Sequence, residues 1–160
     1  NALIDVISEI STASGLRGMV AGQAYDLIYE GRDPDAGIVE LIHRYKTAAI
    51  ITASVKSGAI LAAADDDQLK KMADYGLCIG LAFQIIDDIL DIEGSTKEMG
   101  KPRGSDAERG KMTYPRVFGV LESRKKAKDL IDRALNALEI FDHKAQPLRE
   151  IAKYIINRTS

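Results

Sequence analysis

The stretch 83–91, which reads Phe-Gln-Ile-Ile-Asp-Asp-Ile-Leu-Asp, constrains the fold of this chain more than any other. It lies in a long apolar run that begins near Leu77 and indicates a buried helix. At about 100° per residue, Asp87 and Asp91 lie only about 40° apart, and Gln84 falls on the same face. Carboxylates on an apolar helix are costly to bury without a compensating positive charge, so this face predicts a cation site. A solvated acidic edge of the helix is the alternative.

Mg²⁺ is the cation that this face predicts, because it prefers oxygen ligands and usually takes one or two carboxylates together with substrate phosphates. Two further groups of polar side chains could converge with the face: His43, Lys46 and Thr47 on an earlier helix, and Lys101, Asp106 and Lys111 on a polar loop. Lysine ammonium groups act as point charges for phosphate oxygens. The combined set suits a polyphosphate bridged to Mg²⁺, although each residue alone could be an ordinary surface or core-edge side chain.

Apolar periodicity along the rest of the chain predicts an all-α fold of about six helices with one long polar loop. The expected helices cover residues 1–11, 16–29, 36–64 with a bend near Gly58, 66–92, 114–121 continuing over 125–141, and 146–157, and the loop covers 93–113. Gly18 and Gly22 are four residues apart and would let two helices approach closely. The acidic run 65–67 is interpreted as a helix cap, because adjacent carboxylates on a helix point in different directions.

Composition excludes several classes of protein. The net charge is -2, from 22 basic and 24 acidic residues, which argues against nucleic-acid binding driven by bulk charge. The one cysteine, Cys78, cannot form an internal disulfide and fits a reducing, cytoplasmic location. Charged residues interrupt every apolar stretch before it reaches about 18 residues, so no membrane span is expected. Walker-type glycine loops and zinc-ligand spacings are also absent from the sequence.

A series of motifs then makes the chain recognisable. In order, they are the segment 18–23 with Asp26, the segment 43–47 (His-Arg-Tyr-Lys-Thr), the segment 83–91, Gly100-Lys101 with residues 104–106, and the segment 110–115 (Gly-Lys-Met-Thr-Tyr-Pro). Together they resemble the C-terminal half of the trans-isoprenyl diphosphate synthases, the short-chain prenyltransferases of the farnesyl and geranylgeranyl diphosphate type. The resemblance implies that residues 1–160 are the C-terminal portion of one helical synthase domain.

The resemblance also implies roles for individual residues. The second aspartate-rich motif of the family matches Asp87, Asp88 and Asp91, where Asp87 would bind Mg²⁺ and Asp91 would support it. The residues that match the binding site of the allylic diphosphate are Lys46, Thr47, Gln84 and Lys101. Of the others, Asp106 would organise the water shell of the metal, Lys111 would lie near the diphosphate, and Arg158 would belong to a basic tail that closes over the second substrate.

The implied reaction is ionisation of an allylic diphosphate, attack by isopentenyl diphosphate and loss of a proton, carried out by a homodimer. The family's first aspartate-rich motif is absent from these residues, so we expect the 160-residue chain alone to be inactive. A non-catalytic regulatory subunit and a class I terpene cyclase fragment are the alternatives. The loop from Gly100 to Pro115 disfavours the cyclase, and the intact second motif disfavours a degenerate subunit.

Overall fold

Residues 1–93 and 105–158 are described by a computed structural model, and every regular element in them is helical, as predicted. The α-helices are α1 (Ala2–Ser14), α2 (Met19–Tyr29), α3 (Ala36–His43), α4 (Ala49–Leu61), α5 (Asp66–Glu93), α6 (Ser105–Glu108), α7 (Tyr114–Phe118), α8 (Val120–Ala137) and α9 (Gln146–Asn157). A π-helical segment, Arg44–Ala48, joins α3 to α4, and a 3₁₀ turn, His143–Ala145, precedes α9.

Helix α5 is the central helix of the described fold. It spans 28 residues, and the side chains of Tyr75, Ile85 and Ile89 on it are fully buried. Helices α4 and α8 both pack along it, and α9 contacts both α5 and α8. The predicted buried helix is therefore confirmed, and the aspartates of the stretch 83–91 lie on the helix that the core surrounds.

The acidic run before α5 caps the helix, as predicted. The carboxylate of Asp65 accepts a hydrogen bond from the backbone N–H of Gln68 at 2.8 Å, and the Gln68 side chain accepts one from the Asp65 N–H at 3.1 Å. This reciprocal pair satisfies two backbone donors that a helix N-terminus otherwise leaves unpaired. The run thus fixes where α5 begins and takes no part in the aspartate face.

Two glycines allow the π-helical segment to be packed tightly between neighbouring helices. A Cβ atom added at Gly22 on α2 would lie 2.1 Å from the backbone nitrogen of Lys46, and one added at Gly80 on α5 would lie 2.6 Å from the Cα of Ala48. Both distances are far below ordinary van der Waals contact. The close approach predicted for Gly22 is therefore confirmed, and it falls on the segment that carries Lys46 and Thr47.

Several element boundaries differ from the prediction. The irregularity expected near Gly58 lies instead at Arg44–Ala48. The expected helix 114–121 ends at Phe118, because Gly119 adopts a φ of +79°, and α8 then runs without a break from Val120. Positive φ is far more accessible to glycine than to residues with a side chain, which explains why the chain turns there. The predicted polar loop contains the short helix α6, and its residues 94–104 lie outside the described part.

The corner between α8 and α9 is held by two buried or partly buried side chains. Arg149 donates hydrogen bonds to the carbonyl oxygens of Leu138, Phe141 and Asp142, at 2.9, 2.9 and 3.1 Å. The hydroxyl of Tyr75 on α5 donates to the carbonyl of Leu148 at 2.7 Å. The Arg149 contacts satisfy carbonyls just beyond α8, where no intrahelical donors remain, and the Tyr75 contact ties α9 to α5.

The apolar face of α1 is exposed. Leu3, Ile4 and Ile7 are each 63% exposed, although they follow the helical spacing that predicted an amphipathic helix. Within the described residues, no helix combines the length and the apolar character needed to cross a membrane. Cys78 is buried in α5, and this burial raises the pKa of its thiol, with Arg133 lowering it and Asp74 raising it further.

Candidate functional site

The three aspartates of the stretch 83–91 lie in different environments. The Asp87 side chain is 41% exposed, whereas Asp88 and Asp91 are only 3% and 1% exposed. Periodicity placed Asp87 and Asp91 on one face, but only Asp87 presents its carboxylate to solvent. The difference arises because α3, α6 and α7 cover the side of α5 that carries the other two.

Asp88 is held by groups from three segments of the chain. Its Oδ1 accepts a hydrogen bond from Gln84 Nε2 at 3.1 Å, and its Oδ2 accepts one from the backbone N–H of Tyr114 at 2.9 Å. The Nε2 of His43 lies 3.2 Å from the same Oδ2. The imidazole ring of His43 also stacks on the Tyr114 ring, with their centroids 5.1 Å apart. Both oxygens of this predicted metal ligand therefore have protein partners.

Gln84 and Thr47 form the next link of this network. The hydroxyl of Thr47 donates to Gln84 Oε1 at 2.8 Å, so the amide bridges the end of the π-helical segment to Asp88. Gln84 was grouped by sequence with Asp87 and Asp91, and the structure instead directs its amide to Asp88. The four-residue spacing of Gln84 and Asp88 on α5 permits this contact.

Lys46 points away from Thr47, toward α2. Its ammonium group lies 2.6 Å from Oδ2 of Asp26, which is 7% exposed. Lys46 and Thr47 belong to the π-helical segment, whose geometry differs from that of the regular helix expected over 36–64. Lys46 therefore faces α2, and Thr47 faces α5.

A second acidic cluster joins the end of α5 to α6. The backbone N–H of Asp106 donates to Oδ2 of Asp91 at 3.1 Å, and the ammonium group of Lys111 lies 2.7 Å from Oδ1 of Asp106. The predicted convergence of the loop with the aspartate helix is therefore present for Asp106 and Lys111. Lys101, the third predicted residue of the loop, lies outside the described residues.

Arg158, near the end of the chain, lies against the exposed aspartate. Its guanidinium is 4.1 Å from the centroid of the Phe83 ring, and its Nη2 donates to the Phe83 carbonyl at 3.1 Å. The same nitrogen lies 3.3 Å from Oδ1 of Asp87. The side chain of Arg158 is only 9% exposed, so this contact is part of the packed structure rather than a surface encounter.

Two residues of the site were not predicted as such. Asp26 was recognised only as a member of a motif, and the structure shows that it pairs with Lys46. Its position on α2, four residues after Gly22, places it on the helix face that contacts the segment of Lys46 and could have indicated this pairing. Tyr114 supplies both a backbone donor and a stacked ring. Its pKa is raised to about 12, mainly by burial, with smaller contributions from Glu40 and Asp88. No sequence pattern indicated its stacking on His43.

Comparison with known proteins decides the family. The family model described as polyprenyl synthetase matches residues 2–154, nearly the whole chain. The chain belongs to the polyprenyl synthetase family. Its motifs therefore lie in the structural context that the sequence predicted, a helical synthase fold.

Three members illustrate the similarity. The chain is 44% identical to geranylgeranyl pyrophosphate synthase 11, chloroplastic, of Arabidopsis thaliana, covering 98% of this chain and 45% of that protein. It is 44% identical to farnesyl diphosphate synthase of Escherichia coli, covering 97% and 53%. A geranyltransferase from Helicobacter pylori, solved with magnesium and isoprenyl diphosphate, superimposes with a TM-score of 0.80 at 28% identity, covering 98% and 51%. The chain spans about half the length of the curated relatives it matches.

The metal-ligating atoms of this polyprenyl synthetase chain are of the kind that a hard divalent cation prefers. Too few of them converge in the described residues to hold the cation by themselves. The exposed carboxylate of Asp87 offers oxygen ligands, which suits Mg²⁺. Within residues 1–93 and 105–158, however, no three acidic, histidine or cysteine side chains converge to hold a metal. One accessible carboxylate is enough where phosphate oxygens supply the other ligands. Asp87 therefore fits a metal that arrives together with a diphosphate.

Proposed function

We propose that the full-length protein is a trans-prenyltransferase that condenses isopentenyl diphosphate with an allylic diphosphate. The observation that carries the proposal is the exposed Asp87 carboxylate on the same helix as Gln84, whose amide is held in one orientation by Thr47 and Asp88. A carboxylate for a cation beside fixed hydrogen-bond donors for phosphate oxygens suits a metal-bound diphosphate. The family relationship supports the same conclusion.

The residues of this chain would act mainly on the leaving group. Heterolysis of the allylic C–O bond leaves pyrophosphate and an allylic cation, the double bond of isopentenyl diphosphate then forms the new C–C bond, and a proton is lost. The ammonium groups of Lys46, Lys101 and Lys111 would stabilise the charge that develops on the pyrophosphate, because preorganised positive charge is most effective where water is excluded. The Gln84 amide would orient its oxygens, and the Thr47 hydroxyl would hold that amide in place by donating to Gln84 Oε1.

Mg²⁺ is the proposed cofactor, and when bound it would neutralise charge on the diphosphate. Asp87 would hold it directly, with Asp91 and Asp106 proposed to support the site from the second cluster. Arg158 would exchange its contact with Asp87 for a contact with the second substrate. The Asp87 end of this ion pair is 41% exposed, so an arriving cation can reach that carboxylate and replace Arg158 there.

Two properties of the whole protein belong to the same proposal. A homodimer is supported by the exposed apolar row of α1, because contiguous exposed apolar surface commonly marks an interface. Sedimentation of the full-length protein and of an Ile7→Glu variant tests it, and a dimer that survives the substitution argues against this face. A cytoplasmic location is supported by the single, buried Cys78 and is tested by cell fractionation.

Transfer of labelled isopentenyl diphosphate to a short allylic diphosphate, measured with the full-length protein, tests the activity. Asp87→Ala should lower kcat by orders of magnitude while the circular dichroism spectrum is unchanged. Asp74→Ala is the matched control, because Asp74 is an exposed aspartate on the same helix far from this face. Near-normal turnover of Asp87→Ala at saturating Mg²⁺ would reject the metal role, and absence of transfer by the unaltered protein would reject the enzyme.

A further inference from the structure

Asp88 is buried and fully satisfied by hydrogen-bonding partners within the protein. It is 3% exposed, and its two oxygens accept from Gln84 and Tyr114 and contact His43. A cation that bound Asp88 directly would have to replace hydrogen bonds within the packed core. Breaking such a buried network is costly, because each donor left without a partner keeps its full desolvation penalty. The surroundings of Asp88 thus favour a role other than metal ligation.

The network fixes which way the Gln84 amide points. A carboxylate only accepts hydrogen bonds, so the NH₂ group of Gln84 must face Asp88, and its carbonyl oxygen must face Thr47. Thr47 then has to donate its hydroxyl hydrogen. If the Gln84 amide flipped, its carbonyl oxygen would face the Asp88 carboxylate, and two hydrogen-bond acceptors would oppose each other.

One hydrogen of the Gln84 NH₂ group is left over by this arrangement. The amide has two N–H donors, and Asp88 takes one of them at 3.1 Å. The second has no partner among the side chains and carbonyls in residues 1–93 and 105–158. Gln84 is only half-buried, so part of its side chain is open to solvent. An anionic oxygen is the acceptor that such a donor binds most strongly.

We propose that Asp88 is a positioning residue that contacts neither metal nor diphosphate, and that it holds the Gln84 amide so that its free N–H donates to a diphosphate oxygen. The inference rests on the proposed function, since it takes the ligand of this site to be a diphosphate. His43 and Tyr114 hold Asp88 from the opposite side, so its carboxylate also joins the ends of α3 and α7 to α5. The second aspartate of the motif therefore differs in role from the first.

Binding of inorganic pyrophosphate in the presence of Mg²⁺ tests the inference independently of turnover. A double-mutant cycle on the full-length protein compares Asp88→Asn, Gln84→Ala and the double variant by calorimetry. Gln84→Ala should weaken pyrophosphate binding about tenfold or more, the usual loss for a hydrogen bond to a charged group. Asp88→Asn should weaken it similarly, and in the Gln84→Ala background it should have little further effect.

The Mg²⁺ dependence of the same binding separates the two aspartates. Asp87→Asn should raise the Mg²⁺ concentration needed for half-maximal pyrophosphate binding, whereas Asp88→Asn should leave that concentration unchanged. Additive effects of Asp88→Asn and Gln84→Ala, or a raised Mg²⁺ requirement in Asp88→Asn, would overturn the inference. If the unaltered protein binds pyrophosphate with the expected Mg²⁺ dependence but transfers no prenyl group, the proposed function is refuted and the role of Asp88 still stands.

A crystal structure of the unaltered protein with Mg²⁺ and pyrophosphate provides a second measurement that does not depend on any variant folding. The expected result is Gln84 Nε2 within about 3.2 Å of a phosphate oxygen, with Asp88 still bound to Tyr114 and His43. An Asp88 oxygen at about 2.1 Å from Mg²⁺ would show direct ligation and overturn the inference.

Discussion

Replacement of Gly22 by alanine should disturb the site from a distance through the backbone of Lys46. The new Cβ would lie 2.1 Å from the Lys46 nitrogen and 2.5 Å from its Cα, where ordinary contacts between carbon atoms are about 3.5–4.0 Å. The neighbouring atoms belong to backbone in a helix, so they cannot rotate away. Helix α2 and the π-helical segment must therefore separate by more than about 1 Å.

The size of the effect follows from two opposing contributions. Overpacking typically lowers the free energy of unfolding by about 1–3 kcal/mol, and this contact lies at the upper end because backbone meets backbone. Alanine in a helix interior restores up to about 1 kcal/mol relative to glycine. The net loss should be about 2 kcal/mol. Turnover should fall by about 10²-fold, since a misplacement of this size changes the geometry around Lys46 and Asp26.

Urea denaturation and steady-state kinetics of Gly22→Ala measure both quantities. Gly58→Ala is the matched control, because Gly58 also lies in a helix and a Cβ there would meet no atom within 4 Å. That variant should be more stable by about 0.5–1 kcal/mol and fully active. If Gly22→Ala were as stable and as active as Gly58→Ala, the close approach would not constrain the site and the reasoning would be refuted.

Three further predictions concern other contacts. The free energy of unfolding should fall as pH rises from 10 toward 12. Tyrosines of the unfolded chain ionise near pH 10, whereas burial raises the pKa values of Tyr75 and Tyr114 to about 12. Urea titrations at several pH values should show a shallower fall for Tyr75→Phe. Arg149→Met should lower the free energy of unfolding by about 1–2 kcal/mol, with an unchanged value contradicting the role of its three carbonyl contacts. Arg158→Gln should tighten Mg²⁺ binding without diphosphate by about two- to fivefold in calorimetry, since its guanidinium competes for Asp87; equal affinity would exclude competition.

Helical periodicity was sufficient to predict the framework of the site. The apolar positions of α5 predicted a buried helix, and Ile85 and Ile89 are indeed fully buried. The residue types before α5 predicted its cap, because Asp65 and Gln68 satisfy each other's backbone donors locally. Both predictions succeeded because they depend on interactions between residues close in sequence.

The environment of Asp88 could not be predicted in the same way. Its partners come from His43 and Tyr114, which are 45 and 26 residues away in sequence, and only packing brings them together. The π-helical segment was missed for a related reason. Nothing in the residues 44–48 disfavours a regular α-helix, and the observed geometry accompanies close contacts with Gly22 and Gly80 on neighbouring helices.

The burial of Cys78 has a practical consequence for spectroscopy. A thiol reacts as the thiolate, and both the packing around Cys78 and its raised pKa keep that form scarce. Maleimide dyes and spin labels should therefore bypass the single natural cysteine of this chain. A cysteine introduced at an exposed position such as Arg109 becomes the one reactive attachment point in these 160 residues, without first removing a core side chain. Distances from such a label to a second one could then be followed in solution as diphosphate is added.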